Sequence, residues 1–396
     1  TVAFIVFVER AIRKILIMGI FFSTIIISKA QNTAEKIIGS NQGLHIGGYA
    51  QIDYNRQIND DLNHNAILDV HRLVTFLGYN FNEKTSFISE IEMEHVKETY
   101  VEQAFLSHRI KNNLSVNAGL ILIPMGIQNL YHEPPTFNGV ERTNVDKYIV
   151  PTTWREMGVS VNGRIMENIL SYELMLVNGF NGYDGEGVFS GSSGLRSGRQ
   201  KAAKSYMTSP DFASRFSYLG IPNLNLGFST YLGESESSAY NGLDLSDENA
   251  VISADSTIIG INMIGIDGRY QQGALQLRGQ YVVADLSNTN QYNIFTGKDL
   301  GSKMMGYYAE AGYNLLSKKE TNDELIAFVR YENYNTHKEV EDNIIINSNY
   351  DRKDVILGLG WKLAKGAMFK VDYQIKSNGN ANPRTDYINI GTAVWF

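Results

Sequence analysis

The chain has 396 residues, no cysteine, 43% hydrophobic and 19% charged residues, and a formal net charge of −7. Without cysteine there is neither a disulfide framework nor thiolate metal or redox chemistry, and the acidic balance argues against nucleic acid as a partner. Mean hydropathy of −0.21 is too polar for a helical membrane protein, whereas Gly 36, Tyr 23, Phe 18 and only Pro 7 suit a barrel wall in which alternate residues face lipid.

The first thirty residues differ from the rest. Arg10, Arg13 and Lys14 precede an apolar run from Ile15 to Ile27, followed by Ser28-Lys29-Ala30. A basic region, a short apolar stretch and small residues at −3 and −1 describe a secretory signal over residues 1–30, with Thr1 to Val8 as a possible upstream extension. Residues 31–42 then read as a periplasmic N-terminal segment, and 43–396 as the barrel.

From Leu44 onward the repeating unit is a stretch of about ten residues of alternating character, closed by a turn signal. Phe87, Ile91 and Met93 oppose Glu90, Glu92 and Glu94, and Leu275, Leu277 and Tyr281 oppose Gln276, Arg278 and Gln280. In the segment starting at Asp354, Val355, Leu357, Leu359, Trp361 and Leu363 share one face, while Asp354, Ile356, Gly358, Gly360 and Lys362 share the other. Phe369, Val371, Tyr373 and Ile375 then oppose Lys370, Asp372, Gln374 and Lys376. No helical period supplies a covering layer. Short turns at Asn82-Glu83-Lys84, Lys111-Asn112-Asn113, Met166-Glu167-Asn168, Gln271-Gln272-Gly273 and Ala364-Lys365-Gly366 alternate with longer polar loops, as periplasmic turns alternate with outer loops in outer-membrane barrels. Two connections break that rule, a short loop near Val96-Lys97-Glu98 and a long turn from Ser317 to Asp323. The fold class predicted is all-β, a transmembrane antiparallel barrel of about 16 strands with both ends on the periplasmic side.

The connection from about Met125 to Arg155 follows the fifth predicted strand and is therefore the third outer loop. Pro124, Pro134, Pro135 and Pro151 lie in or beside it; proline fixes φ and lowers the entropy lost on ordering, which suits a loop holding one shape inside a pore. Glu133, Glu141, Arg142, Lys147 and Arg155 are the candidate constriction charges, with Asp146 and His132 alongside. They could filter ions or merely brace the loop. In the next outer loop Arg196, Arg199, Lys201 and Lys204 could attract anions, bind lipopolysaccharide phosphates or form a solvated surface. The expected lumen face is mixed: Arg215, Arg278, Arg330, Lys362 and Lys370 are offset by Glu90, Glu92, Glu94, Glu310 and Asp372.

Two stretches carry a resemblance. His132-Glu133-Pro134-Pro135-Thr136-Phe137-Asn138-Gly139-Val140-Glu141-Arg142 with Ile149-Val150-Pro151-Thr152-Thr153-Trp154-Arg155-Glu156 is the first, and Ser190-Gly191-Ser192-Ser193-Gly194-Leu195-Arg196-Ser197-Gly198-Arg199-Gln200-Lys201 the second. The chain resembles porin-like proteins of Gram-negative outer membranes, similar to the phosphate-selective porin O and P family. That resemblance implies a sixteen-stranded barrel, a homotrimer, and a third outer loop folded inward. Phosphate selectivity does not carry over, because the arginine ladder and lysine cluster it depends on cannot be placed here. Ile388, Ile390, Val394 and Phe396 fall on alternate positions, with Thr392 the polar exception. This resembles the final strand of outer-membrane barrels, whose terminal aromatic is read by the barrel-insertion machinery.

No cofactor, metal or catalytic group is expected. Asp61-x-Asn63-x-Asn65 begins like a calcium loop, but Ala66 stands where the turn glycine belongs and Arg72 where the bidentate Glu belongs. The seven histidines show no His-x-x-x-His spacing, and no Gly-x-Ser-x-Gly occurs. The reading is a passive porin channel for small hydrophilic solutes or ions, anions such as phosphate included, among the lipid and lipopolysaccharide of a Gram-negative outer membrane. An outer-membrane barrel enzyme of lipase, protease or deacylase type is the alternative.

Overall fold

The computed structural model describes residues 42–58, 62–341, 344–380 and 384–396. The expected signal segment and nearly all of 31–42 lie outside the described residues, as does Asp61 of the calcium-like stretch.

Sixteen antiparallel strands close into a barrel. In chain order they are β1 (Gly43–Gln57), β2 (Ile67–Asn80), β3 (Thr85–Glu94), β4 (Glu98–Lys111), β5 (Leu114–Leu122), β6 (Arg155–Ile165), β7 (Leu170–Val177) and β8 (Asp211–Tyr218). The second half comprises β9 (Leu224–Glu234), β10 (Gly260–Gln272), β11 (Leu275–Ser287), β12 (Lys303–Asn314), β13 (Glu324–Glu339), β14 (Asp351–Ala364), β15 (Ala367–Asn378) and β16 (Thr385–Trp395). Each strand pairs with its neighbours in sequence, and β1 closes the ring on β16 in the register Tyr49↔Trp395 to Gln57↔Tyr387. Beyond β16, Phe396 exchanges two 3.0 Å backbone hydrogen bonds with Gly48. A side chain at Gly48 would collide with the Val74 carbonyl and the Phe396 ring, so the seam is tight at this point.

The two faces follow from the period of two. On β14 the residues Leu357, Leu359, Trp361 and Leu363 project outward and are exposed, as are Phe369 and Val371 on β15 and Ile388, Ile390 and Val394 on β16. Asp354, Lys370, Asp372 and Asn389 from the same strands point inward and are buried. Such an outward apolar band is stable only against lipid, since a soluble sheet would bury that face.

The turns at one end are tight for local reasons. Asn82 Oδ1 accepts from the amides of Lys84 and Thr85 at 2.9 and 3.0 Å, closing β2 onto β3. Met166, Glu167 and Asn168 all adopt positive φ between β6 and β7, and Gly273 does so between β10 and β11. The opposite end carries the long connections, and the odd-numbered one between β5 and β6 is the third. Both expected exceptions occur: β3 turns into β4 through His95-Val96-Lys97, and β12 reaches β13 through residues 315–323.

Candidate functional site inside the barrel

Residues 123–154, between β5 and β6, run into the barrel and cross it. The anchoring hydrogen bonds end on strands far round the ring. Lys370 on β15 donates to the carbonyls of Pro134, Phe137 and Gly139 at 2.6, 2.7 and 2.9 Å. Arg278 on β11 donates to Thr136 O at 2.9 Å, and Gln51 on β1 donates to Val140 O at 3.0 Å. In the other direction the loop donates to wall carboxylates: Val140 N to Asp372 at 2.6 Å, Asn138 to Glu310 at 2.9 Å, and the Asn144 and Val145 amides to Glu332 at 2.5 and 3.2 Å. Backbone groups of an irregular loop have no ladder to join, so buried ones must find partners of this kind.

The charges expected of the wall point inward and form networks rather than single-sign ladders. Arg330 on β13 lies 3.4 Å from Glu310 and 2.8 Å from Glu332, and Arg278 lies 3.1 Å from Glu310. Arg215 on β8 makes a two-pronged pair with Asp267 on β10, at 2.6 and 2.7 Å. Lys362 lies 3.3 Å from Glu324 near the turn end. On the other side of the lumen Arg72 is 3.4 Å from Glu92, and His132 lies between Glu90 and Glu102. On the turn side of the loop, a cavity of about 230 Å³ is lined by Pro135, Thr136 and Asn138 and by Gln276, Arg278 and Lys362.

The constriction candidates separate by environment. Glu133 is buried with neither carboxylate oxygen hydrogen-bonded. Glu141 is half-buried and accepts from Asn55 at 3.1 Å. Arg142 donates to His132 O at 2.8 Å, and burial together with the charge of Arg72 lowers its pKa. Arg155 is buried and donates to Thr153 Oγ1 at 3.1 Å. Lys147 is exposed, its ammonium 5.6 Å from the Tyr148 ring. Asp146 is buried and accepts from Gln280 on β11 at 2.9 Å; burial pushes its carboxyl up to about 6.

The next long loop, residues 178–210, latches onto the third. Arg199 donates to the carbonyls of Pro151, Thr152 and Thr153 at 3.3, 2.9 and 3.2 Å, and Arg196 also donates to Thr152 O. Lys201 stands 4.7 Å above the Tyr100 ring, and Arg155 5.9 Å from it. Lys204 is exposed, with φ of 57°. Burial and the charges of Arg196 and Arg155 lower the pKa of Arg199, and burial with Arg199 and Arg155 lowers that of Lys201. Arg155, Arg196, Arg199 and Lys201 thus bring four cations together here.

One part of this interior has no counterpart in the sequence reading. Trp154 stacks at 4.6 Å on Phe180 and lies tilted against Tyr231, also at 4.6 Å, inside an apolar cluster with Ile123, Met125, Ile127, Val145, Ile149, Phe189, Leu195, Val282 and Met304. The third and fourth loops therefore share a small core with the wall strands that carry Tyr231, Val282 and Met304. The aromatic residues in nominally polar loops were the available signal.

A closed sixteen-stranded barrel with a lipid-compatible outside, a charged inside and a loop folded across the lumen defines a porin-like barrel. Its backbone is similar to that of the outer membrane channel DcaP of Acinetobacter baumannii (TM-score 0.59, 9% identity, covering 91% of this chain and 100% of that one). It is also similar to OmpF of Salmonella typhi, solved with daunomycin (TM-score 0.58, 11% identity, 91% and 99%). The anion-selective porin from Comamonas acidovorans gives a TM-score of 0.56 at 11% identity, over 90% and 100%. At such identities the likeness is one of fold. No protein-family profile matches the chain. By sequence, the chain belongs to the same family as an uncharacterized protein of Aquifex aeolicus (strain VF5), with 30% identity over 353 residues, 86% of this chain and 77% of that one.

Proposed function

We propose that this protein is a porin of a bacterial outer membrane, a homotrimer that passes small hydrophilic solutes and ions by diffusion, with the third outer loop as its constriction. The observation that carries the reading is the loop itself. Residues 123–154 enter a closed barrel and are tethered to β1 and to β11–β15, so whatever crosses the lumen passes against them. The paired charges of the wall orient dipolar solutes, and the crowded cations Arg196, Arg199 and Lys201 bias the loop end toward anions. The resemblance of 132–156 and 190–201 to the phosphate-selective O and P porins makes inorganic phosphate the first anion to try.

Planar-bilayer recording tests this. The intact protein is expected to conduct, and excision of Glu133 to Asp146 is expected to raise single-channel conductance, because the narrowest segment dominates a pore's resistance. Neutralising Arg199 and Lys201 together is expected to move the reversal potential toward cation preference, less so as salt rises and screening shortens. Unchanged conductance after the excision would remove the constriction from this loop. Absence of any conductance would remove the channel.

A further inference from the structure

We infer that Glu90, Glu102 and His132 form a site for a divalent transition-metal cation of zinc type, which clips the third loop to the barrel wall. The inference rests on that loop being the constriction only for its consequence, not for the site. Glu90 sits on β3, Glu102 on β4 and His132 in the loop, and all three are buried. His132 Nε2 lies 3.4 Å from Glu102 Oε2 and 3.6 Å from Glu90 Oε2, and the three ligand atoms lie within 4.8 Å of one another. Two zinc bonds of about 2.0–2.1 Å at a tetrahedral angle place their ligand atoms about 3.3 Å apart, so these separations match edges of a metal's coordination shell.

The groups are also unsatisfied in the manner a cation would cure. Glu90 Oε2, Glu102 Oε1 and His132 Nε2 are buried without a hydrogen-bond partner. A cation held by Glu90 Oε2, His132 Nε2 and Glu102 Oε2, the last already holding the Tyr49 hydroxyl, would satisfy the first two. Glu133, next along the loop, adds a further buried carboxylate with both oxygens unpartnered.

The surrounding contacts orient the set as an outer shell does around a metal. His132 Nδ1 faces the Asn129 carbonyl at 3.2 Å; an N–H donated there leaves the Nε2 lone pair directed at the two carboxylates. Tyr49 on β1 donates its hydroxyl to Glu102 Oε2 at 2.7 Å, fixing that carboxylate. One imidazole and two carboxylates supply three ligands and a charge of −2, which suits a divalent ion of borderline softness with one position left for water. The rival occupant is a proton on Nε2, which would make the triad a buried imidazolium held by two carboxylates.

Metal content decides between them. A second, more exposed group, Asp69, His71 and His95, also brings its ligand atoms within 4.8 Å, so the measurement uses the full chain carrying His95→Ala. The detergent-purified protein is stripped with chelator, loaded with zinc chloride, desalted and analysed for metal. One zinc per chain is expected, falling to none in the added variants Glu102→Gln or His132→Ala. Tyr49→Phe, which keeps all three ligands, is expected to weaken zinc affinity about 10- to 100-fold. Should His132→Ala fail to assemble, Glu102→Gln and Tyr49→Phe carry the test. Zinc retained at no higher level in His95→Ala than in His95→Ala/Glu102→Gln overturns the inference and leaves the imidazolium. A chain that conducts but holds no zinc refutes this site alone, and one that holds zinc but never conducts refutes the channel alone.

Discussion

The wall and the loops inside it are built by different rules. In the wall, position along a strand decides environment: Lys370 faces the lumen and Phe369 and Val371 face outward because they are adjacent in a period of two. Strands there pair with their neighbours in sequence, β1 closes on β16, and the ring has no edge. In the third loop only single helical turns, Ile127–Leu130, Pro134–Thr136 and Val145–Tyr148, follow a local rule. The rest is placed by partners chosen one at a time, often more than a hundred residues away, as with Lys370 and Pro134 or Asn144 and Glu332. A wall of the first kind resists unfolding as a unit, whereas a loop of the second kind is only as firm as its individual anchors.

The largest effect that could break this contrast concerns the wall. Unheated protein in SDS is expected to migrate as a compact species and to shift on boiling, because a closed barrel offers no strand edge from which opening starts. Identical migration before and after heating, in a protein soluble without detergent, would contradict the barrel as a membrane wall.

The contrast also explains how much could be read from the sequence. Strand number, the inward-facing set from Glu90 to Asp372, and the outward stripe ending in Phe396 all follow from alternation, which is local information. Prolines and the strand count marked the third loop as special. Its anchors were not legible, because nothing near Pro134 or Val140 announces Lys370 or Asp372. For the same reason Glu90, Glu102 and His132 did not read as a group: they are 12 and 30 residues apart, without ligand spacing, and only the loop's path joins them. The basic run from Arg196 to Lys201 was legible as charge, but its use of loop carbonyls as acceptors depends on how two loops meet.

A second, smaller effect probes one anchor that belongs to both regions. Arg330 joins Glu310 and Glu332 on the wall and donates to Glu141 O in the loop at 3.3 Å. Arg330→Met keeps the bulk but leaves the buried Glu332 without its cation and Glu310 with Arg278 alone, and loss of one partner from a buried pair costs about 3–5 kcal/mol. Urea unfolding in detergent or liposomes is expected to show that loss. Replacing Glu332 as well, by Gln, should recover most of it, since Glu310 keeps Arg278. A loss well below 1 kcal/mol would mean that water reaches these groups and that the interior is wetter than its contacts imply.

The smallest effect expected is a pH dependence confined to the loop. Asp146 accepts from Thr143 and from Gln280, so its carboxyl holds the loop to β11, yet burial raises its pKa from 3.8 to about 6. A carboxyl whose folded pKa is raised binds a proton more tightly when docked than when free. Its contribution to docking is therefore fully present below about pH 4 and is lost as the pH climbs through about 6. Above that, the carboxylate is charged in a site that disfavours charge, and the loop is held less firmly. Limited proteolysis within residues 123–154 should accelerate between pH 5 and pH 7, by a factor beyond the protease's own pH response, while the strands stay protected. Asp146→Asn keeps the shape and an acceptor oxygen without a titrating group, and should flatten that rise. A rise of equal size in the Asn variant would assign the pH response to another group, and protection that falls equally in wall and loop would abolish the distinction between them.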